Sequence, residues 1–311
     1  MTAWKSTEDI PDDLGSTVVS IGKFDGVHLG HRSLLEFAVA QAKELDLPSV
    51  VLTFDRNPKD VLTPGTHHGA ITGPLQRSEL FRDLGISNTL ELAFDEKLAA
   101  LTPENFVARY LVDVLRASLV VVGQDFRFGS AGSGTVVTLS ELGEQHGFNV
   151  ETVAPVNRGG RKISSSWIRE LLDAGNVVEA SKLLGRNHRV TGVVEHGLKI
   201  GRKIGFPTAN LSRSSEGYLP LDGVYSGWLH SEGQRYPAAI SIGINETFQA
   251  VPRLLEAHVP DRDDLDFYDL QVEVEFIDFI RPTAKFDGIE SLTTAIRADL
   301  AAVKKSLAKV N

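Results

Sequence analysis

The fold of the first half of the chain is decided by residues 22–31, which read Gly22-Lys23-Phe24-Asp25-Gly26-Val27-His28-Leu29-Gly30-His31. Before this stretch, residues 16–21 form a short apolar, β-branched segment that is typical of a buried strand. After it, apolar residues recur at helical spacing as far as about Leu45. The stretch is therefore predicted to be a strand-to-helix turn, whose backbone N–H groups and helix dipole favour an anion.

Two histidines stand in this turn. His28 and His31 are three residues apart, so they share a face if both lie in the first helical turn. Two imidazoles at a helix N-terminus suit a polyphosphate and the charge that develops when it is cleaved. Two other interpretations are a tight turn whose histidines are solvated or cap the helix, and half of a zinc site, for which no obvious third ligand follows. The strand, the helix and the Asp-Gly pair favour phosphate chemistry.

The same turn carries a resemblance to a known family. It resembles the His-x-Gly-His signature of the nucleotidyltransferase superfamily, and specifically the corresponding segment of the bacterial bifunctional riboflavin kinase/FAD synthetases. The resemblance implies that His28 and His31 are catalytic. It also implies nucleotide-binding roles for four other residues of the turn: Gly22, Phe24, Asp25 and Gly30.

Composition limits the class of protein. The chain has 311 residues, enough for two domains, and its content of 42% hydrophobic and 23% charged residues is that of a soluble globular protein. A net charge of −9 without long charge runs argues weakly against nucleic acid or an anionic membrane as the main partner. The absence of cysteine excludes disulfides and thiolate chemistry. With a polar start and no run of 18 apolar residues, the cytoplasm is the expected location.

Strands and helices alternate through the first half. Strands are predicted at residues 48–54, 88–93 and 119–122, and helices at residues 79–84 and 103–115, the latter with Thr102 as N-cap. This alternation predicts an α/β fold, a Rossmann-like nucleotidyltransferase domain with a parallel sheet. Because ligands bind beyond the carboxyl ends of such strands, the turns that start at Gly22, Asp55 and Gly123 are expected to share one edge.

Three further segments of this half can be compared with the family, and two of them match it. Residues 123–129 could be an ordinary surface turn, but they resemble its Gly-Glu-Asp-Phe-Arg-Phe-Gly loop, with Gln124 at the Glu. Residues 163–169 could simply cap a helix, but they resemble its Ile-Ser-Ser-Thr-x-Ile-Arg phosphate cradle. Residues 55–58 depart from its Asp-Pro-His-Pro. The resemblance implies nucleotide binding by Ser164, Ser165 and Arg169, and flavin binding by Asn57, Asp125 and Arg127.

The hydrophobic period changes after residues 186–188, which are interpreted as a junction between domains at residues 1–186 and 187–311. Short strands are predicted at residues 189–195, 224–229, 236–242 and 271–279, separated by glycine turns. A closing amphipathic helix is predicted over residues 290–305. The second half is therefore predicted to be a small antiparallel β-barrel with a closing helix.

A glycine-rich, basic segment lies at residues 197–210 and ends Gly205-Phe206-Pro207-Thr208-Ala209-Asn210. Thr208 and Asn210 place oxygens two residues apart, and hard oxygens beside phosphates are what Mg²⁺ takes. A solvated glycine loop is the alternative. The segment is similar to the riboflavin kinase signature that ends Pro-Thr-Ala-Asn. The resemblance implies Mg²⁺ binding by Thr208 and Asn210, and nucleotide binding by Gly201, Arg202, Gly205, Phe206 and Pro207.

Three more segments match the kinase, at residues 222–225, 241–243 and 255–258. Glu256 aligns with the family's catalytic base, although by itself it would be interpreted as a solvated carboxylate, and Tyr225 is implied to contact flavin. Two segments depart from the family. Where the family has Asn-Pro-Thr-Phe, this chain has Glu246 in place of the proline. Where the family has Asp-Leu-Tyr-Gly, this chain has Asp269 in place of the glycine.

The resemblance covers about residues 16–305 and implies a bifunctional enzyme of flavin cofactor biosynthesis. Riboflavin would be phosphorylated by ATP to FMN, and FMN adenylylated by ATP to FAD, with Mg²⁺ as cofactor. Riboflavin, FMN and ATP are the expected partners, without nucleic acid or membrane; a homo-oligomer is left open. A class I aminoacyl-tRNA synthetase is opposed by the acidic balance and the lack of a Lys-Met-Ser-Lys-Ser-like loop. A flavin-binding or regulatory paralogue stays open because of Asn57, Glu246 and Asp269.

Overall fold

A computed structural model describes residues 1–56, 69–196, 201, 204–243, 253–262 and 264–310 of the chain. Its backbone contacts divide the chain into two compact units. Unit 1 comprises Met1–Ala70 and Pro74–Ser164, and unit 2 comprises Ile71–Gly73 and Ser165–Asn311. The domain junction at residues 186 and 187 stays a prediction. Within the described ranges, no helix has both the length and the apolar character needed to cross a membrane.

Unit 1 is built on a six-stranded sheet in which every pairing is parallel, in the order β1-β4-β3-β2-β5-β6. The strands are β1 Thr2–Trp4, β2 Thr17–Ile21, β3 Ser49–Phe54, β4 Asn88–Leu92, β5 Ala117–Gly123 and β6 Asn149–Val153. Its α-helices among the described residues are α1 Leu29–Glu44, α2 Pro74–Asp83, α3 Glu96–Ala99, α4 Pro103–Phe106 and α5 Val136–His146. A short hairpin follows, β7 Asn157–Arg158 with β8 Arg161–Lys162. The prediction of an α/β fold on a parallel sheet is confirmed.

Both faces of this sheet are buried because successive strand residues point to opposite sides. On one face, Val19 and Val120 belong to a core that includes residues of α4 and α5. On the other face, Val18 and Val121 pack with Leu35 and other residues of α1. The near-continuous apolar runs in the sequence therefore reflect two cores, one on each side of the sheet.

The structure differs from the sequence prediction at several elements of unit 1. The helix predicted over residues 103–115 begins as α4, where the Thr102 hydroxyl accepts from the Asn105 N–H at 3.3 Å, and continues as a π-helix, Val107–Val114. Strand β1, helix α5 and strand β6 were not predicted. Strand β1 lies in a polar segment and contributes one buried side chain, Trp4, which gives too short a pattern for periodicity to detect.

In its described residues, unit 2 contains two helices, a closed antiparallel barrel and a final helix. The helices α6 Ser165–Asp173 and α7 Val177–Leu184 come first, and α8 Ile289–Leu307 comes last. The barrel runs in the order β10-β13-β12-β11-β14-β9. Its strands are β9 His188–Glu195, β10 Ala209–Leu211, β11 Gly223–Ser231, β12 Gln234–Gly243, β13 Leu254–His258 and β14 Gln271–Pro282. The predicted barrel and closing helix are confirmed, and the short strands β10 and β13 were missed.

Helix α8 is fixed to the barrel by apolar and charged contacts. Val303 and Leu307 pack against Trp228 of β11. The Arg281 guanidinium of β14 donates to both carboxylate oxygens of Asp299, each at 2.7 Å. This bidentate geometry is the strong form of an arginine–carboxylate pair, so it orients the helix as well as holding it.

A buried carboxylate on β14 is the centre of a second polar network. Glu275 accepts from the Asn187 amide and the Arg189 guanidinium, and its Oε2 lies 2.8 Å from His230 Nε2. Burial would raise the pKa of Glu275, but the hydrogen bonds from His230 and Asn187 and the charge of Arg189 together lower it to about 2. Arg189 also donates to the less buried Glu273 at 2.7 Å.

We expect Glu275→Ala to lower the free energy of unfolding by roughly 3 kcal/mol, because it removes the buried carboxylate on which Asn187, Arg189 and His230 converge. The matched control Glu273→Ala, which removes the other carboxylate on Arg189, should cost less than about 1 kcal/mol. Urea unfolding of both variants, followed by circular dichroism, measures the difference. Because the folded pKa is lowered from 4.5 to about 2, the stabilisation is fully present above about pH 4.5 and is lost as pH falls towards 2. Equal losses for the two variants would contradict this account.

Candidate active sites

Three turns of unit 1 emerge at one edge of the sheet, as predicted. They follow β2, β3 and β5, which are neighbours in the parallel sheet, so their carboxyl ends lie side by side. The turn after β2 is fixed to β3, since the Gly22 N–H donates to the Leu52 carbonyl at 3.1 Å and the Thr53 hydroxyl donates to the Lys23 carbonyl at 3.3 Å. Asn57, in the turn after β3, lies outside the described residues.

The turn after β2 is shaped from inside by Phe24. Its backbone φ is +51°, a left-handed conformation that is uncommon for a bulky residue, and its side chain is fully buried against Phe81, with ring centroids 5.7 Å apart. A Cβ on Gly22 would lie 2.9 Å from the Phe24 ring, so this position requires glycine. Because the ring lies in the core, only the backbone of Phe24 is available to a ligand. Asp25 is also buried, with Oδ2 3.8 Å from the Lys23 ammonium.

The two histidines lie together at the start of α1. His28 is the N-cap, and its Nδ1 accepts from the backbone N–H of His31 at 3.3 Å. The two rings stack with centroids 3.6 Å apart and planes 14° apart. A Cβ on Gly30 would lie 3.2 Å from the His28 ring, so this glycine makes room for it. Since Nδ1 of His28 accepts a hydrogen bond, its neutral ring carries the proton on Nε2.

His31 has the more perturbed environment of the two. Burial lowers its pKa well below 6.5, and unfavourable electrostatic interactions with His28, Lys162 and Lys23 lower it further. Its Nδ1 is buried and has no hydrogen-bond partner within the described part of the chain. At neutral pH this ring is therefore uncharged. The same part of the chain contains no group of three or more His, Cys, Asp or Glu side chains able to hold a metal, so it offers nothing for the zinc interpretation.

The turn after β5 carries an ion pair. Asp125 accepts from the Lys162 ammonium of β8, and this hydrogen bond lowers the pKa of Asp125. Arg127 is exposed, while Phe126 and Phe128 stack with ring centroids 5.6 Å apart. Sequence reasoning left Lys162 without a role; its signal was its position two residues before the serine run.

The serine run lies at the boundary between the two units. Ser164 follows the hairpin at the end of unit 1, and Ser165 is the first residue of α6 in unit 2. The helix predicted to open here is confirmed. Arg169, one turn further on, is buried.

In unit 2, three polar side chains meet where β10 pairs with β13. Asn210 of β10 stands directly opposite Glu256 of β13. The Asn210 amide donates to both the carbonyl and the hydroxyl oxygen of Thr208, each at 3.2 Å. Burial raises the pKa of Glu256, and a hydrogen bond with the Thr208 hydroxyl offsets only part of that rise. The barrel thus brings a hydroxyl, an amide and a buried carboxylate together.

The backbone before Thr208 is tightly turned. The N–H groups of Ile204 and Phe206 donate to the Gly201 carbonyl at 3.2 and 2.8 Å, and Gly205 adopts a φ of +87°. A Cβ on Gly201 would lie 2.3 Å from the Phe206 carbonyl oxygen, so the close approach requires glycine. The Pro207 carbonyl accepts from His258 Nδ1 at 2.6 Å. Arg202 lies outside the described residues.

A cleft opens beside this cluster, and Thr208 and Asn210 are among its lining residues. The rest of its wall includes Arg262, Leu265, Asp266, Phe267 and Tyr268. Tyr268 stacks on His196, with ring centroids 4.0 Å apart. Asp269, which replaces the family's glycine, has a φ of +62°, a conformation that aspartate tolerates better than most residues. Asp269 therefore holds a left-handed turn of the kind that glycine also adopts. Glu246 lies outside the described residues.

Tyr225 lies in the barrel core. Its side chain has no exposed surface, its hydroxyl donates to the Leu221 carbonyl, and burial raises its pKa. Its ring packs against Phe276 and Phe279, with centroids 5.3 and 5.2 Å away. The ring is committed to the core, so a flavin contact at this position would have to use the backbone.

These features define a two-domain, nucleotide-dependent transferase. Residues 10–167 match the FAD synthetase family, and residues 184–307 match the riboflavin kinase family. The chain is 36% identical over 288 residues to the bifunctional riboflavin kinase/FMN adenylyltransferase of Pseudomonas fluorescens, covering 92% of each chain. It is 32% identical over 283 residues to the protein of that name from Escherichia coli K12, covering 91% of this chain and 90% of the other. The chain belongs to the bifunctional riboflavin kinase/FMN adenylyltransferase family.

A solved structure is similar over nearly the whole chain. It is described as a macrolide-efflux protein from Streptococcus pneumoniae and is 35% identical, with a TM-score of 0.86. The match covers 97% of this chain and 98% of the other.

Proposed function

We propose that the chain converts riboflavin to FMN with one ATP and then joins FMN to a second ATP, giving FAD and pyrophosphate. The carrying observation is that one family match falls on each site, FAD synthetase over residues 10–167 and riboflavin kinase over residues 184–307. The relatives named above are enzymes with both activities, and nothing in these comparisons favours a regulatory paralogue.

In the kinase reaction, the 5′-hydroxyl of the ribityl chain attacks the γ-phosphorus of ATP. The new O–P bond forms as the bond to the β–γ bridging oxygen breaks, and ADP leaves. Glu256 accepts the hydroxyl proton, because its buried carboxylate has a raised pKa and is therefore more basic than an exposed one. The remaining work is positioning and charge stabilisation, as in other phosphoryl transfers.

The residues present fit Mg²⁺. The side-chain amide nitrogen of Asn210 donates to Thr208, and this leaves the side-chain oxygen of Asn210 available as a ligand beside the Thr208 hydroxyl. Hard oxygens in small number suit Mg²⁺, which keeps waters and binds substrate phosphates. We assign the ion to Thr208 and Asn210, where it would neutralise charge on the ATP phosphates.

In the adenylyl transfer, a phosphate oxygen of FMN attacks the α-phosphorus of ATP and pyrophosphate leaves. His28 offers Nε2–H as a donor, since its Nδ1 accepts from His31 N–H. His31 is neutral because burial lowers its pKa, so it acts through hydrogen bonding rather than through charge. Preorganised donors of this kind stabilise charge that develops on transferring phosphates.

Other residues are assigned to binding on the family resemblance. For the nucleotides these are Gly22, Phe24, Asp25, Gly30, Ser164, Ser165, Arg169, Gly201, Arg202, Gly205, Phe206 and Pro207, and for the flavins Asn57, Asp125, Arg127 and Tyr225. The cytoplasmic location and the absence of nucleic-acid and membrane partners also stay predictions, and the homo-oligomer stays open.

The test is product analysis with the purified full chain. Riboflavin, ATP and Mg²⁺ are incubated with the protein, and the flavins are separated over time. FMN followed by FAD is the expected result. Riboflavin that stays bound and unconverted would contradict the proposal and favour the regulatory paralogue.

The kinase reaction should lose rate at a higher pH than an ordinary glutamate would cause. Glu256 has its pKa raised above 4.5, and its protonated form cannot accept the hydroxyl proton, so kcat/KM should fall as pH falls through that raised value. Initial rates of FMN formation across a pH series measure this limb. A midpoint at or below 4.5 would count against Glu256 as the base.

Thr208→Ala should raise the Mg²⁺ concentration needed for half-maximal FMN formation by at least about tenfold, the range seen even for groups that only orient a ligand. The physical reason is the loss of one hard oxygen donor. Thr208→Ser keeps the hydroxyl and is the matched control, expected to stay near the wild type. An unchanged Mg²⁺ dependence in the alanine variant would remove Thr208 from the metal site.

A further inference from the structure

His258 lies beside the kinase cluster and has no role in the mechanism above. It is two residues beyond Glu256 on β13, so both side chains project from the same side of the strand. Its Nδ1 lies 2.6 Å from the Pro207 carbonyl oxygen, and its ring meets the Phe206 ring edge-on, with centroids 5.7 Å apart. The ring therefore contacts the two residues that precede Thr208.

This hydrogen bond continues the pairing of two strands beyond their backbone ladder. Strand β10 begins at Ala209, which pairs with Ala257, and Pro207 lies before that start. Proline has no N–H, so Pro207 cannot donate a backbone hydrogen bond to β13, although its carbonyl can still accept one. The His258 side chain supplies a link from β13 to this carbonyl instead.

The contacts form a closed circuit. Glu256 and His258 share β13, His258 holds the Pro207 carbonyl, and Pro207 precedes Thr208. The Thr208 hydroxyl is hydrogen-bonded to the Glu256 carboxylate, and this contact closes the circuit. Fixing Pro207 therefore fixes where the Thr208 oxygen stands relative to both Glu256 and Asn210.

We propose that His258 is a positioning residue for the cluster of Thr208, Asn210 and Glu256. It acts on Thr208 through its hydrogen bond to the Pro207 carbonyl. This rests on the proposed kinase function. A carbonyl oxygen only accepts, so Nδ1 must carry the proton, which it does both in the Nδ1–H tautomer and in the imidazolium. The property that matters is therefore a hydrogen-bond donor facing the Pro207 carbonyl. An asparagine side chain can supply it, because its amide nitrogen, like the histidine Nδ1, lies two bonds from Cβ.

Two full-chain variants separate the donor from the ring. His258→Asn keeps a donor, and His258→Phe keeps the ring and its contact with Phe206. We expect the phenylalanine variant to raise the half-maximal Mg²⁺ concentration for FMN formation by about 10–100-fold, and the asparagine variant to stay within about threefold of the wild type. FAD formation from supplied FMN should be unchanged in both variants.

A second readout does not depend on activity. Hydrogen exchange measured by mass spectrometry on the ligand-free chain should accelerate in peptides covering residues 204–211 for His258→Phe and not for His258→Asn. If the phenylalanine variant fails to fold, His258→Leu, which has nearly the shape of asparagine without its donor, takes its place.

The proposal is overturned if the phenylalanine variant matches the wild type in exchange and Mg²⁺ dependence, or if asparagine is as damaging as phenylalanine. A wild-type chain that makes no FMN would contradict the proposed function instead, and the exchange measurement would still decide the role of His258.

Discussion

Glu256→Gln is expected to reduce FMN formation by roughly 10²–10⁴-fold while FAD formation from supplied FMN stays at the wild-type rate. The amide is almost isosteric with the carboxylate but scarcely basic, so it cannot accept the proton of the attacking hydroxyl. It can still accept the hydrogen bond from the Thr208 hydroxyl, so the cluster should keep its shape. Initial rates of FMN formation at saturating riboflavin, ATP and Mg²⁺ measure the loss.

Glu273→Gln is the matched control for this variant. Glu273 lies on the same barrel and accepts a hydrogen bond from Arg189, outside the cluster. It should turn over riboflavin at about the wild-type rate. If Glu256→Gln also keeps near-native turnover, Glu256 is not the base and the kinase alignment fails at β13.

His28→Ala is expected to lower FAD formation by roughly 10²–10³-fold and to leave FMN formation unchanged. The substitution removes the Nε2–H donor, and the His28 and kinase sites lie in different units. Rates of FAD formation from FMN and of FMN formation from riboflavin, measured separately, give the two effects. An equal fall in both activities would contradict the assignment of one activity to each unit.

A second variant separates the capping of α1 by His28 from the donation of its Nε2–H to the phosphates. His28→Asn keeps an N-cap acceptor for the His31 N–H but removes the imidazole Nε2. It should therefore lose FAD formation about as fully as alanine. If asparagine restores the rate, His28 acts by capping α1. His146→Ala, at the exposed end of α5 in the same unit, is the control and should change neither reaction.

Much of the fold could be predicted from the sequence because its signals are local. The continuous apolar run of β2, whose residues Val18 and Val19 are buried on opposite faces, and the helical spacing of α1 are readable within a few residues. Strand β13 was missed because it has only five residues, Leu254–His258, and the alternation of apolar and polar residues within them is too short to identify a strand. The π-helix after α4 was missed because the sequence shows an ordinary helical period there.

The site residues also divide into those that are close together in the chain, which could be predicted, and those that the fold brings together, which could not. The turn at His28 and His31 and the Thr208–Asn210 pair could be predicted because close spacing in the chain fixes close spacing in space. The meeting of Glu256 with Asn210 depends on the register of two strands, and composition does not determine register. The Asp125–Lys162 pair joins residues 37 positions apart, so it also required the structure.

Complementation between the two impaired chains is the most direct test of the central claim, that one chain carries two reactions at two separate sites. Glu256→Gln and His28→Ala are incubated with riboflavin, ATP and Mg²⁺, first separately and then mixed, and the flavins are separated. Over the time in which the wild-type chain completes its conversion, we predict almost only riboflavin with the first variant, FMN with almost no FAD with the second, and FAD with the mixture. FAD formation by either variant alone as fast as by the mixture, or a mixture that makes no FAD, would contradict the claim.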